Sequence, residues 1–177
     1  MSFSTGDFRK ALGLFPTGVA IVSGRHPDGQ LLGMTVSSFN SVSLDPPLVL
    51  FSLARNAASF QAWSTLPQFG VSLLARSQDD LSTRFAKSQA DKWALIRPID
   101  GVNGVPLIPG ALANFECERY AVHDGGDHAI FVGKVLSMRA VAAPTAEPLV
   151  FYGGRYCNIQ HASNGPPEFD GMMLHGW

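Results

Sequence analysis

Charged side chains are scarce in this sequence. They make up 15% of its 177 residues, against about 25% in an ordinary soluble domain. A lone small globule needs polar cover on all sides, so the shortage indicates that another subunit or a bound ligand covers part of the surface. We therefore expect a homodimer.

The sequence also lacks a strong net charge and long apolar runs. A formal charge of -1 and a pI near 6.5 provide no basic field for a phosphate backbone, so we expect no nucleic-acid partner. No apolar run approaches the roughly 18 residues that a membrane-spanning helix needs. The N-terminus shows no apolar stretch after a basic start, so we expect neither a membrane partner nor a processed leader.

Cysteine and metal-binding motifs are sparse as well. Cys117 and Cys157 form neither a CxxC pair nor a dense framework, which argues against a zinc knuckle or a secreted disulfide scaffold and makes the cytoplasm the default location. His123 and His128 have no third ligand spaced to complete a shell, so we predict no metal site. The absence of a GxGxxG element argues against a Rossmann pocket.

The length suits one domain, which we assign to residues 1–160, followed by an irregular tail at 161–177 that is rich in Gly and Pro. Helical spacing and caps predict three helices. They cover Ser4–Leu14, Asn56–Thr65 and Ser77–Ser88, the last with Ser77 as its cap.

Short runs rich in β-branched residues predict six or seven strands. They lie near residues 18–24, 30–39, 48–53, 69–74, 111–123, 128–141 and 148–154. The third, after Asp45-Pro46-Pro47, is apolar enough to be buried on both faces. Because strands and helices do not alternate regularly, we predict a mainly β fold, an antiparallel barrel with peripheral helices.

The segment from Gly33 to Phe60, GMTVSSFNSVSLDPPLVLFSLARNAASF, is the most informative. It places the small hydroxyl residues Thr35, Ser37, Ser38 and Ser52 beside main-chain groups at strand ends, which could hydrogen-bond the edge of a planar heterocycle. On composition alone, the favoured interpretation is that these hydroxyl residues merely face water on a half-exposed strand.

The same segment resembles the signature of the flavin reductase family with an FMN-binding split barrel. Further segments resemble that family in order: FPTGVAIVSG, FGVSLL with LSTRFA, GDHAIFVGKV and PLVFYGGRY. The resemblance runs from about Phe8 to Tyr156 and is strongest to the small reductase components of two-component monooxygenases. It implies a Greek-key antiparallel β-barrel that dimerises and binds flavin near the subunit interface.

The resemblance also implies roles for individual residues. Those expected at the isoalloxazine ring are Thr35, Val36, Ser37, Ser38, Ser52, Leu53 and Ala54. Those expected at the flavin phosphate and tail are Ser59 and Phe60, with charge added by the nearby Arg55, and Arg84, Phe85 and Ala86. His128 is expected to bind and orient the nicotinamide, and Tyr152 and Tyr156 are candidates to flank a ring.

The implied reaction transfers a hydride from NADH or NADPH to N5 of FMN or FAD, and a partner monooxygenase receives the reduced flavin. Two alternatives remain open from the sequence. One is a split-barrel oxidase acting on a phosphorylated small molecule, and the other is a flavin- or haem-binding electron carrier or sensor without nucleotide turnover.

Overall fold

The computed structural model describes residues 2–88, 91–141 and 147–160. Within these ranges the chain is mainly β, as predicted. The strands are β1 Thr17–Gly18, β2 Ala20–Arg25, β3 Leu31–Val36, β4 Asn40–Leu44, β5 Pro47–Ala54, β6 Gln68–Leu73, β7 Ile99–Asp100, β8 Pro106–Leu107, β9 Ala113–Gly125, β10 His128–Ala140, β11 Val150–Tyr152 and β12 Arg155–Cys157. The helices are α1 Thr5–Leu12, α2 Phe60–Thr65 and α3 Asp79–Ala86.

The three predicted helices exist, but each is shorter than expected. Ser4 caps α1 by accepting a hydrogen bond from the backbone N–H of Asp7 at 3.1 Å. The second helix begins only at Phe60, because the backbone N–H of Arg55 is bonded to a distant turn and tight turns occupy the residues between. The third follows a 3-10 turn at Arg76–Gln78, so its N-cap is Gln78 and the prediction of Ser77 was wrong. None of the helices in the described ranges is long and apolar enough to cross a membrane.

Seven strands form one antiparallel sheet in the order β3-β2-β6-β9-β10-β5-β4. The predicted hairpin around Asp28 and Gly29 is β2–β3, and the two longest predicted strands pair as β9–β10. Sequence reasoning missed β4 as a separate strand and the short β7–β8 ladder. It also overstated the burial of β5, because Leu50, Ser52 and Ala54 are only half-buried.

The order of the strands requires the sheet to close. β3 and β4 occupy its two opposite edges, yet only Ser37–Phe39 join them. The chain from Val36 to Asn40 reaches at most about 14 Å, whereas seven flat strands would put their edges about 29 Å apart. The sheet therefore curls into a barrel, and the seam between β3 and β4 stays unpaired. This is the predicted Greek-key split barrel.

Side chains on the two faces of β2 enter two separate cores. Ala20 and Val22 point into the barrel, where the ring of Phe51 stacks on that of Phe131 with centroids 5.1 Å apart. Ile21 points outward into a second cluster with Phe85 of α3. Since period-two alternation sends neighbouring residues to opposite faces, α3 is fixed on the outside of the barrel, beside the open edge of β3.

Candidate functional site

A pocket of about 730 Å³ follows the unpaired edge of β3. This volume falls in the range of about 300–1,000 Å³ that is usual for small-molecule sites. Its walls come from β3, the end of β5, the start of α2, the end of α3 and the segment that follows α3. Among the lining residues are Gly33, Met34, Thr35, Leu53, Ala57, Ala58, Ser59, Phe85, Ala86, Asp91, Lys92 and Trp93.

The backbone of β3 supplies polar groups to one wall of this pocket. An edge strand leaves alternate N–H and C=O groups without a strand partner. One of these groups, the carbonyl of Gly33, accepts a hydrogen bond from Nζ of Lys92 at 3.1 Å, and the same ammonium donates to the carbonyl of Phe85 at 2.9 Å. The edge thus offers main-chain hydrogen bonds to a flat ligand.

Aromatic rings pack closely against this edge. Phe85 is fully buried, and Trp93 meets it edge-on with centroids 5.0 Å apart. A Cβ on Gly33 would lie only 2.3 Å from Cε1 of Phe85, so glycine is what lets the ring approach the strand. Nε1 of Trp93 is buried and has no hydrogen-bond acceptor in the part of the chain that the structure describes. This side of the pocket is therefore an aromatic, apolar wall.

Hydroxyl groups near the seam are bonded within the protein. Oγ1 of Thr35 donates to the carbonyl of Ser82 in α3 at 2.7 Å. Oγ of Ser38 accepts from the backbone N–H of Ser52 at 2.9 Å and donates to its carbonyl at 3.3 Å. The predicted ring-binding segments are thus held together, but these two hydroxyl protons are already engaged. Ser37 is exposed, and the side chain of Val36 points into the core.

Arg55 has a role different from the one predicted. Its backbone N–H donates to the carbonyl of Asp127 at 2.9 Å, its Nε donates to the carbonyl of Gly126 at 3.1 Å, and its Nη2 lies 2.5 Å from Asp124. The guanidinium also lies over the ring of Phe60, 5.9 Å from its centroid. Arg55 therefore clamps the β9–β10 turn to the end of β5, and its guanidinium is paired with the exposed Asp124.

This clamp positions His128. In the ladder, His128 lies opposite Ala54, at the end of β5 that carries the predicted ring-binding residues, although it does not line the pocket. Its side chain is 45% exposed, and its Nδ1 lies 2.7 Å from Oδ1 of Asp127. This hydrogen bond, together with the charge of His128, lowers the pKa of the Asp127 carboxyl. The pair leaves Nε2 of the ring free to contact a ligand that approaches from the solvent.

At the start of α2, the predicted phosphate residues are separated. Ser59 lines the pocket as the N-cap of α2, and its side chain makes no capping hydrogen bond. Phe60 turns its ring toward Phe131, with centroids 6.4 Å apart, and does not line the pocket. Of these two residues, only Ser59 is therefore placed to contact a ligand in the pocket directly.

The remaining predicted residues lie around α3. Phe85 and Ala86 line the pocket, whereas Arg84 donates from Nη1 to the carbonyl of Ala94 and so fixes the segment after α3. Tyr156 donates to Oγ of Ser82 at 2.9 Å and thereby ties β12 to α3. Tyr152 is exposed on the same small sheet and does not line the pocket.

Sequence reasoning missed several lining residues, above all Lys92 and Trp93. They lie in an irregular segment after α3, where no periodicity or motif marks a function. Their adjacency to β3 depends on contacts such as Lys92 to Gly33, which are 59 residues apart in sequence.

The comparisons with known proteins agree with this geometry. Residues 12–160 match the model of the flavin reductase like domain. An FMN reductase (NADH), SmoA of Agrobacterium fabrum, is 48% identical over 150 residues, which is 85% of this chain and 83% of that protein. HsaB of Mycobacterium tuberculosis, the reductase subunit of a flavin-dependent monooxygenase, is 39% identical over 92% of this chain and 86% of that protein.

A solved structure extends the likeness to three dimensions. The NADH:FAD oxidoreductase SgcE6 of Streptomyces globisporus, in complex with NAD and FAD fragments, superposes with a TM-score of 0.83 at 36% identity. The match covers 90% of this chain and 94% of that one.

Replacing Gly33 with alanine tests the close packing of the pocket wall. The new methyl group meets Phe85, so we expect a loss of stability of about 1–3 kcal/mol from overpacking, together with weaker FMN binding. Urea unfolding and quenching of flavin fluorescence measure the two effects. Gly18→Ala is the matched control, because a Cβ there has nothing within 4 Å. Equal behaviour of the two variants would contradict the packing described here.

Proposed function

This chain belongs to the flavin reductase like domain family, and we propose that it uses NADH or NADPH to reduce FMN or FAD for a partner monooxygenase. We base this on the match of residues 12–160 together with the pocket along the open edge of β3. Of the residues that the family resemblance marks for flavin, Thr35, Leu53, Ser59, Phe85 and Ala86 line that pocket.

The pocket residues suit a flavin. A tricyclic ring has apolar faces and a polar edge, and the pocket offers the aromatic wall of Phe85 and Trp93 beside the main-chain groups of β3. When bound, the flavin accepts a hydride from the nicotinamide, so the protein needs no base for that step.

The protein's contribution is therefore to bind and align two rings. Side chains and backbone at β3 and β5 fix one ring, and the clamped β9–β10 turn presents His128 toward the second. Because Nδ1 of His128 is bonded to Asp127, Nε2 is the ring atom available to the nicotinamide carboxamide. Holding the two reactants in one geometry replaces a random encounter with an oriented one.

A homodimer is part of the proposal. Helix α1 has no buried residue, and its apolar side chains Phe8 and Leu12 are 50% and 57% exposed. Phe15, just after the helix, is 74% exposed. A second copy that covers this apolar surface would also account for the scarcity of charged residues.

Three further points belong to the same proposal. The open edge of the pocket suits a flavin that leaves after reduction, as delivery to a monooxygenase requires. The free thiols of Cys117 and Cys157 suit the reducing cytoplasm. The family match ends at residue 160, which supports our division of the chain there, and residues 161–177 lie outside the described ranges.

Turnover with free flavin tests the function. We expect a catalytic amount of protein to oxidise NADH steadily under anaerobic conditions until the excess FMN is consumed, as followed by absorbance. An electron carrier would stop after one equivalent of bound flavin. An oxidase would not bleach its flavin rapidly with NADH. Either outcome would contradict a flavin reductase.

Substitution of His128 by alanine tests its position. We expect a markedly raised KM for NADH with little change in FMN affinity, because the lost imidazole contacts the nicotinamide and not the flavin. Steady-state kinetics and flavin binding measure the two quantities. His123→Ala is the control, since that exposed histidine lies on β9 and is separated from β5 by the intervening strand β10. Unchanged kinetics in His128→Ala would show that His128 is not part of the nicotinamide site.

A further inference from the structure

Lys92 lines the pocket, and the hydrogen bonds of its ammonium group leave one donor free. Its Nζ lies 2.9 Å from the carbonyl oxygen of Phe85 and 3.1 Å from that of Gly33. An ammonium group carries three protons, so two carbonyls leave one donor for a ligand. Both partners are neutral, and neither balances the positive charge.

No carboxylate compensates this charge within the described ranges. The ion pairs found there involve other cations, such as Lys134 with Glu118 and Arg55 with Asp124. Asp91 lines the same pocket but is exposed, so water screens its charge. The other lining side chains named above are neutral, and Lys92 is therefore the positive pole of an otherwise largely uncharged pocket.

The surroundings of Lys92 penalise its charge. Burial lowers the pKa of the Lys92 ammonium, because the pocket removes water without supplying a negative partner. A ligand that brings an anion into the pocket would remove this penalty and gain a charge-assisted hydrogen bond. The site is therefore arranged for an anionic ligand better than for a neutral one.

We propose that Lys92 binds the phosphate of the flavin, so that the pocket selects FMN and FAD over riboflavin. The proposal rests on the flavin reductase function given above and deepens it. Riboflavin shares the ring system and the ribityl chain with FMN but lacks the phosphate, so only the phosphorylated flavins can use this cation. The nicotinamide nucleotide also carries phosphates and is the other possible source of the anion.

Equilibrium binding distinguishes these flavins without turnover. Fluorescence quenching gives the dissociation constants of riboflavin and FMN for the wild type, Lys92→Met, Lys92→Arg and the control Lys87→Met, which removes an exposed lysine outside the pocket. We expect Lys92→Met to weaken FMN binding about 10- to 100-fold, as loss of a hydrogen bond to a charged group implies, and to leave riboflavin binding unchanged. Lys92→Arg should retain most of the affinity for FMN, and Lys87→Met should change neither constant.

Three results would overturn the proposal. Equal weakening of FMN binding and riboflavin binding would show that Lys92 only holds β3 and α3 together. Unchanged FMN binding would show that Lys92 does not bind the phosphate. A raised KM for NADH with riboflavin as acceptor, at unchanged FMN affinity, would assign it to the dinucleotide.

Two controls keep the inference separate from folding and from the general function. If Lys92→Met does not fold, wild-type binding in increasing salt decides, because screening should weaken FMN binding but not riboflavin binding. Equal salt dependence would then overturn the proposal. Failure of the reductase function itself would appear as a wild type that oxidises no NADH with any flavin, whereas failure of the Lys92 inference leaves wild-type turnover intact.

Discussion

The three-residue connection Ser37–Phe39 is the constraint on which the rest of the structure depends. It joins the two edges of a seven-stranded sheet and thereby forces the sheet to close. Because it joins the edges end to end and does not pair them, β3 keeps an unpaired backbone. An exposed strand edge is usually a liability. Here helices and one loop surround it, and it becomes the polar wall of a ligand pocket.

The elements around that edge are fixed by contacts distant in sequence. The absence of a side chain at Gly33 allows Phe85 to approach β3, and the hydroxyl of Thr35 bonds α3 to the same strand. On the other side, Arg55 ties the β9–β10 turn to β5 and so sets where His128 projects. The two ends of the proposed site, one for flavin and one for nicotinamide, are thus built on rigid strands instead of free loops.

Most strands and helices could be predicted from local sequence patterns, but many residues of the site could not. Alternation and turn residues identify the β2–β3 hairpin and the long β9–β10 pair. Strands of two residues, such as β7 and β8, are too short to show a period. The pairing of Arg55 with Asp124, 69 residues away, could not be predicted, because sequence shows only its neighbours. Lys92 was missed for the same reason, since burial and partners are properties of the folded chain.

A crystal structure of the protein in complex with FMN tests the central claim most directly. We expect the ring to lie along the open edge of β3, in contact with Gly33 to Thr35 and the end of β5. FMN bound elsewhere, with the seam between β3 and β4 left empty, would contradict it.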